Sequence, residues 1–259
     1  MVDNGSGIPD EKLVSEFISR SDLRFHKTDV LVFVPVLNEQ DSIAELIDGI
    51  RKNCQFDLLV IDDGSNDSTP AVLEKLGVTV LRHPQPLGSK RILHGLEIAL
   101  SLGYKYVLKI DGDGQHNPAD IPRLYERAVL KENDLVIASR HVDRFRANIW
   151  SVSGSGMLFC AGMVSLISRQ RITDTTSGFK IWSRKACEAA IKAASKGKLK
   201  DASTFHVEEL VLAARKRLRV EEISVTMYPR QFGCTKSFSP GKKFLFPFKL
   251  IGSTLRALV

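Results

Sequence analysis

The chain holds no apolar run approaching the ~20 residues that span a bilayer. Residues 156–167 and 244–259 come nearest, and Pro247, Lys249 and Arg256 interrupt the second. Its first ten residues are polar and acidic, without the basic start and apolar core of a secretory signal. Cysteine is sparse: Cys54, Cys160, Cys187 and Cys234 are scattered, and no Cys-x-x-Cys pair occurs. That scatter argues against a disulfide framework or a zinc site and reads as reduced thiols inside a cell. Two phosphate-binding signatures are missing as well. No Gly-x-Gly-x-x-Gly follows the first apolar run, and no Gly-Lys-Ser/Thr loop occurs anywhere. No basic stretch is interleaved with aromatics in the RNA-binding manner, so nucleic acid is not expected as a partner. There is no internal repeat and no low-complexity linker.

What is present is an ordinary globular composition, 43% hydrophobic and 26% charged over 259 residues. Lys and Arg outnumber Asp and Glu by 37 to 30, a net +7 that favours anionic partners such as nucleotide or lipid phosphates. Short apolar runs at 30–34, 58–61, 78–81, 106–110 and 135–138 alternate with helical patterns near 42–50, 69–76, 89–100 and 121–130. Continuous apolar strands separated by helices predict a mostly parallel, doubly wound α/β sheet covered on both faces. Beyond residue 150 the alternation fades into helical stretches at 156–168 and 205–217, a Ser177-Gly178 turn and an extended segment at 220–228. The expected organisation is a polar leader (1–29) with a short helix, one domain (30–241) and an amphipathic C-terminal segment (242–259). That last segment mixes Lys242, Lys243 and Lys249 with large apolar groups, as a helix lying on a membrane surface does; it suits a packed or dimer-buried helix equally.

The segment Val107 to His116 is the most informative. An apolar strand ends in Asp111-Gly112-Asp113, with the carboxamide of Gln115 two residues on. Paired carboxylates at the carboxyl edge of a sheet are hard oxygen ligands, suited to Mg²⁺ or Mn²⁺ carrying a phosphorylated substrate. A calcium loop would need Gly and Glu where His116 and Pro122 stand, and an aspartyl-phosphate phosphatase would need Thr or Val in place of Gln115. The first strand ends in Val34-Pro35-Val36-Leu37-Asn38-Glu39 and the second in Asp62-Asp63-Gly64-Ser65-Asn66-Asp67-Ser68-Thr69. The adjacent acids Asp62 and Asp63 repel each other and require a donor or cation nearby.

These motifs, in this order, resemble glycosyltransferase family 2, inverting enzymes of the GT-A fold, and within it the dolichol- and polyprenyl-phosphate mannose and glucose synthases. Further along, Leu87-Gly88-Ser89-Lys90, Ser139-Arg140, Thr173 to Lys180, Glu208 before Glu222, and Arg230-x-x-Gly233-x-Thr235-Lys236 extend the similarity to about residue 240. The resemblance implies a single GT-A domain and a nucleotide-diphospho-sugar donor. It places Pro35, Leu37, Glu39, Asp63 and Lys90 on the nucleotide, and Asp111, Asp113 and Gln115 on the Mg²⁺ or Mn²⁺ ion. Arg140, Arg230 and Lys236 would face diphosphate or acceptor phosphate, and Asp113, Asp174 and Glu208 are the catalytic candidates. The favoured acceptor is a polyprenyl phosphate at the cytoplasmic membrane face. The alternatives are a saccharide or small-molecule hydroxyl, as in surface-polysaccharide assembly, and a non-catalytic nucleotide-sugar-binding protein. The oligomeric state, including a homo-oligomer, is left open. The chain differs from the lipid-phosphate synthases in having no cation across residues 149–155 and in reading Glu222-Ile223-Ser224 where they carry Glu-Val-Pro.

Overall fold

The apolar runs become strands because their β-branched side chains fill both faces of a pleated sheet. The computed structural model describes residues 11–20, 23, 25, 28–88, 90–142, 161–197, 199 and 204–230. Its elements, in chain order, are α1 (Glu11–Ile18), β1 (Val30–Val36), α2 (Ile43–Asn53), β2 (Asp57–Asp62), α3 (Thr69–Leu76), β3 (Thr79–Arg82), α4 (Lys90–Ser101) and β4 (Tyr106–Lys109). A 3₁₀ turn (Pro118–Asp120) then leads into α5 (Ile121–Leu130), β5 (Leu135–Ser139), β6 (Lys180–Ser183), α6 (Arg184–Ser195), α7 (Phe205–Arg215) and β7 (Val220–Ser224). Residues 161–168 are helical too.

The seven strands form one sheet in the order β3-β2-β1-β4-β6-β5-β7. All pairings are parallel except those of β6, which runs antiparallel to both β4 and β5. Leu31, Phe33, Leu59, Ile61, Val107 and Trp182 pack on one face under α4, α6 and α7. Val30, Val32, Val34, Val60, Leu108 and Ile181 pack on the other with residues of α2 and α5. This is the doubly wound α/β sandwich expected of continuous apolar strands. Gly95 lets α4 settle onto β1, since a Cβ there would lie 2.8 Å from the Phe33 ring.

One expectation needs correction, and two elements are new. β1 runs two residues past Val34, through Pro35, to Val36. Its pairing with β4 stops at Phe33–Lys109, while Pro35 still sits opposite Ile61 of β2. Phe33 O accepts from Ile110 N and Val36 O from Asp63 N, so the side on which Pro35 lacks its N–H lies beyond the β4 ladder and costs no bond. The new elements are β6 and α6, which the sequence pattern left unassigned. β6 is four residues long and begins with a buried lysine, and α6 buries small groups, Ala186, Cys187, Ala190 and Ala193.

Candidate active site

At the carboxyl edge of the sheet the chain makes sharp turns held by side chains. Asn38 adopts φ 52°, a left-handed conformation that Asn tolerates. Its N–H donates to Ser65 Oγ (2.9 Å), and the next N–H, of Glu39, donates to Thr69 Oγ1 (2.9 Å). Asn66 N in turn donates to Asn38 Oδ1 (2.8 Å), so the loops after β1 and β2 are stitched together. Asp67 Oδ1 caps Thr69 N, and Asn117 Oδ1 caps Ala119 N, as their positions before proline-bearing helix starts suggest.

The repulsion between Asp62 and Asp63 is relieved by two arginines. Arg82 Nε lies 3.3 Å from Asp62, and Arg91 Nη1 lies 2.7 Å from Asp63 Oδ2. Asp63 Oδ1 also accepts from Leu87 N (2.7 Å), which ties β2 to the start of α4. Asp63 is therefore paired with Arg91, a residue with no signal of its own in the sequence. Lys90, one position earlier, is exposed. Pro35 is buried within β1, and Leu37 is half-buried.

The Asp111–Gln115 loop gathers most of the remaining candidates. Arg230 Nη2 reaches both carboxylate oxygens of Glu39 (2.5 and 2.7 Å), and its Nη1 stands 3.6 Å from Asp113 Oδ2. Gln115 Nε2 donates to Tyr228 O (3.2 Å) while Tyr228 N donates to Gln115 O (2.8 Å), so the stretch 227–230 is pinned along the loop. Lys109 Nζ lies 2.5 Å from Asp111 Oδ1 and donates to Gly178 O (3.2 Å). Burial alone would raise the Asp111 pKa, but the Lys109 ammonium holds that carboxyl well below the usual carboxylate range. Gly178 is required by this crowding: a Cβ would fall 2.3 Å from Asp111 Oδ2 and 2.6 Å from Lys109 Nζ.

Next to it, Arg140 grips Asp174 side-on. Its Nε donates to Oδ2 and its Nη2 to Oδ1, both at 2.7 Å. Asp174 also accepts from the backbone N–H groups of Arg140, Thr176 and Ser177. Burial pushes its pKa up, yet Arg140 and these donors keep it far below the usual range. Glu222 of β7 anchors this turn by accepting from Thr173 N, Thr173 Oγ1 and Asp174 N at 2.7–2.8 Å.

Glu208 is 3% exposed and accepts from Thr204 Oγ1 (2.9 Å) at the start of α7. Its neighbour Glu209 reaches the sheet instead. There its carboxylate accepts from Lys180 Nζ (2.8 Å) and from Trp182 Nε1. Burial works against ionisation, but Lys180 holds the Glu209 pKa down to about 2. Lys109 and Lys180 sit opposite each other on β4 and β6, so one buried and one half-buried ion pair underlie the loop. The signal that could have found them is a lysine inside an otherwise apolar strand. Lys236 lies outside the described residues, as do residues 149–155 and the segment 242–259.

His206, 4.0 Å from Glu209 Oε2, has its pKa lowered to about 4 by burial and by Lys180. The folded form then binds this proton less readily than the unfolded chain, whose His titrates near 6.5. Stability is therefore expected to fall as pH drops from 6.5 toward 4, by up to about 3 kcal/mol. Thermal melts between pH 7 and 4 check this, and His206→Asn should flatten the slope. An unchanged slope in that variant would rule out His206 as its source.

The donor set fits a hard divalent ion. Asp111 and Asp113 offer carboxylate oxygens with side chains 32% and 18% exposed, and Mg²⁺-type sites use one or two carboxylates completed by substrate phosphate. Beside the loop, a cavity of about 630 Å³ opens between α2 and Asp113, lined by Ser42, Glu45, Asp48, Lys52, Asn117 and Tyr228 among others. Among the described residues, no helix is long and apolar enough to cross a membrane.

Comparison with known proteins gives this geometry a context. An uncharacterized protein of Methanocaldococcus jannaschii is 28% identical over 87% of this chain and 92% of its own length. The undecaprenyl-phosphate mannosyltransferase of Micrococcus luteus is 29% identical over 80% of this chain and 86% of its own. Glucosyl-3-phosphoglycerate synthase from Mycobacterium tuberculosis, solved with Mn²⁺, UDP and phosphoglyceric acid, superposes with a TM-score of 0.65. It is 16% identical, with 98% of this chain and 84% of that one covered. The family model described as Glycosyl transferase family 2 matches residues 31–189, more than half of the chain. The protein is thus a member of glycosyltransferase family 2, built on the GT-A fold.

Proposed function

We propose that the enzyme transfers a hexosyl group, with inversion, from a nucleotide-diphospho-sugar to a polyprenyl phosphate, assisted by a divalent cation. The observation that carries this reading is the clustering of Asp111, Asp113, Glu39 and Arg230 at the carboxyl edge of β1 and β4. Asp111, Asp113 and Gln115 would hold Mg²⁺ or Mn²⁺. When bound, that ion supplies Lewis-acid neutralisation of the leaving diphosphate. Arg230 ties Glu39 to Asp113 beside that ion. Asp63 and Arg91 suit the nucleoside end, together with Leu37, Lys90 and the backbone edge at Pro35.

Asp174 supports this choice of acceptor. Its carboxylate is saturated by Arg140 and backbone donors and strongly favours the ionised form, which makes it a poor general base. A hydroxyl acceptor needs such a base, whereas a phosphate acceptor arrives already anionic and needs positioning. Arg140 and Lys236 are the cations for that role, and Asp174 fixes the first of them. The name of the Micrococcus luteus relative points the same way. A prenyl acceptor would bring the enzyme to the cytoplasmic membrane surface, with residues 242–259 as the segment suited to lie against it.

Incubation with radiolabelled sugar nucleotides, Mn²⁺ and membranes tests the reading. Label should move into an organic-extractable lipid. Label recovered only in water-soluble saccharide would overturn the lipid acceptor in favour of a hydroxyl one. A thermal-shift panel of UDP-, GDP- and dTDP-sugars identifies the donor, because the ligand that binds the native state raises its melting point.

A further inference from the structure

Lys109 is not an ordinary strand lysine. Its side chain is 3% exposed, and its ammonium is held from two sides, by Asp111 Oδ1 at 2.5 Å and by Gly178 O at 3.2 Å. It cannot swing into solvent as a surface lysine does, so its charge is a fixed part of the site. Around it, the four carboxylates Glu39, Asp111, Asp113 and Asp174 face three cations, Lys109, Arg140 and Arg230. Four negative against three positive charges leaves this group at −1.

We propose that Lys109 is a positioning residue that occupies one oxygen of Asp111, so that the site takes up a divalent cation in company with an anion rather than alone. The proposal rests on reading Asp111 and Asp113 as cation ligands. A bare divalent ion would turn the group from −1 to +1 and would press directly against the Lys109 ammonium. An ion that arrives on a diphosphate brings its own negative charge, and two carboxylates plus phosphate oxygens form an ordinary shell for Mg²⁺. Lys109 leaves Oδ2 as the Asp111 oxygen that bears no ammonium contact, with the His116 ring nitrogen Nε2 3.9 Å away. Oδ2 also faces Gly178, where a side chain would collide with it. The glycine and the lysine thus orient one carboxylate together.

Binding of Mn²⁺ alone, followed by the electron paramagnetic resonance of the free ion, tests this without recourse to turnover. The wild-type protein should bind Mn²⁺ weakly. Lys109→Met and Lys109→Gln, which remove the charge, should each bind it at least about tenfold more tightly. Lys109→Arg, which keeps the charge, should stay near wild type. Thermal melts identify any variant that does not fold, and the glutamine variant retains a hydrogen-bond donor should the methionine one fail. If the folded neutral variants bind Mn²⁺ no more tightly than wild type, Lys109 does not set the affinity and the proposal falls, while the carboxylate reading stands. If they do bind more tightly but adding Asp113→Asn leaves that gain intact, the ion lies elsewhere. The carboxylate reading then fails and takes the proposal with it.

Discussion

Asp113→Asn is expected to lower kcat for sugar transfer by about 10³-fold, with a melting temperature within a few degrees of wild type. The two halves of this expectation rest on different contacts. The asparagine keeps an oxygen for the N–H of Gln115, which Asp113 Oδ1 accepts at 3.2 Å. The side chain is only partly buried, and its partner Arg230 has Glu39 as its main anchor. Little folding energy is therefore at stake. Chemistry is another matter, because the negative oxygen that would neutralise a divalent ion at the leaving diphosphate is gone. Removing one preorganised electrostatic group of this kind typically costs 10²–10³ in rate, and a charged ligand stands at the upper end of that range. Initial rates at saturating donor and Mn²⁺, beside a melting curve, decide it. A variant that retains more than a tenth of wild-type kcat would remove Asp113 from the catalytic centre.

The second large effect concerns stability. Lys180 and Glu209 are paired with side chains 1% and 5% exposed, and Glu209→Gln leaves the ammonium facing a neutral carboxamide. Breaking a buried pair from one side costs about 3–5 kcal/mol, because the remaining charge has neither water nor counter-ion. For a chain of this size the melting temperature should fall by about 10 °C. The carboxamide oxygen still accepts from Trp182 Nε1, so the loss isolates the charge. Removing both charges while keeping that acceptor, Lys180→Met with Glu209→Gln, should recover much of the deficit, since no uncompensated charge is then left in the core. A single variant that melts within 3 °C of wild type would mean that Lys180 reaches water or another anion.

The pair also marks where the sequence stops being readable. β1 to β5 were legible because each is a run of β-branched residues between turn signals. The Asp111-Gly112-Asp113 loop was legible because an apolar strand that ends in two acids has few explanations. The cap that Asp67 places on Thr69 followed from capping rules. β6 could not be read this way, because Lys180-Ile181-Trp182-Ser183 is short and opens with a charge. Only a glutamate 29 residues later makes that charge tolerable in the core. The order of the strands was hidden for the same reason, since the reversal of β6 depends on partners far along the chain. Glu222 fixes Asp174 across 48 residues and Arg230 fixes Glu39 across 191. Local pattern carries no trace of either contact. Arg91 was passed over because a helix-borne arginine is commonplace until Asp63 is seen beneath it.

The reversed strand has a consequence for biosynthesis. β4 and β5 do not touch each other; β6 fills the gap between them. A nascent chain halted before residue 180 would carry four paired strands ending in the bare flank of β4, and β5 would have no neighbour on that side. Such unpaired apolar flanks invite other chains to dock. Release of the stretch from β6 through β7 from the ribosome is thus the step that seals the sheet, and truncations just short of it should precipitate rather than persist as a smaller folded unit.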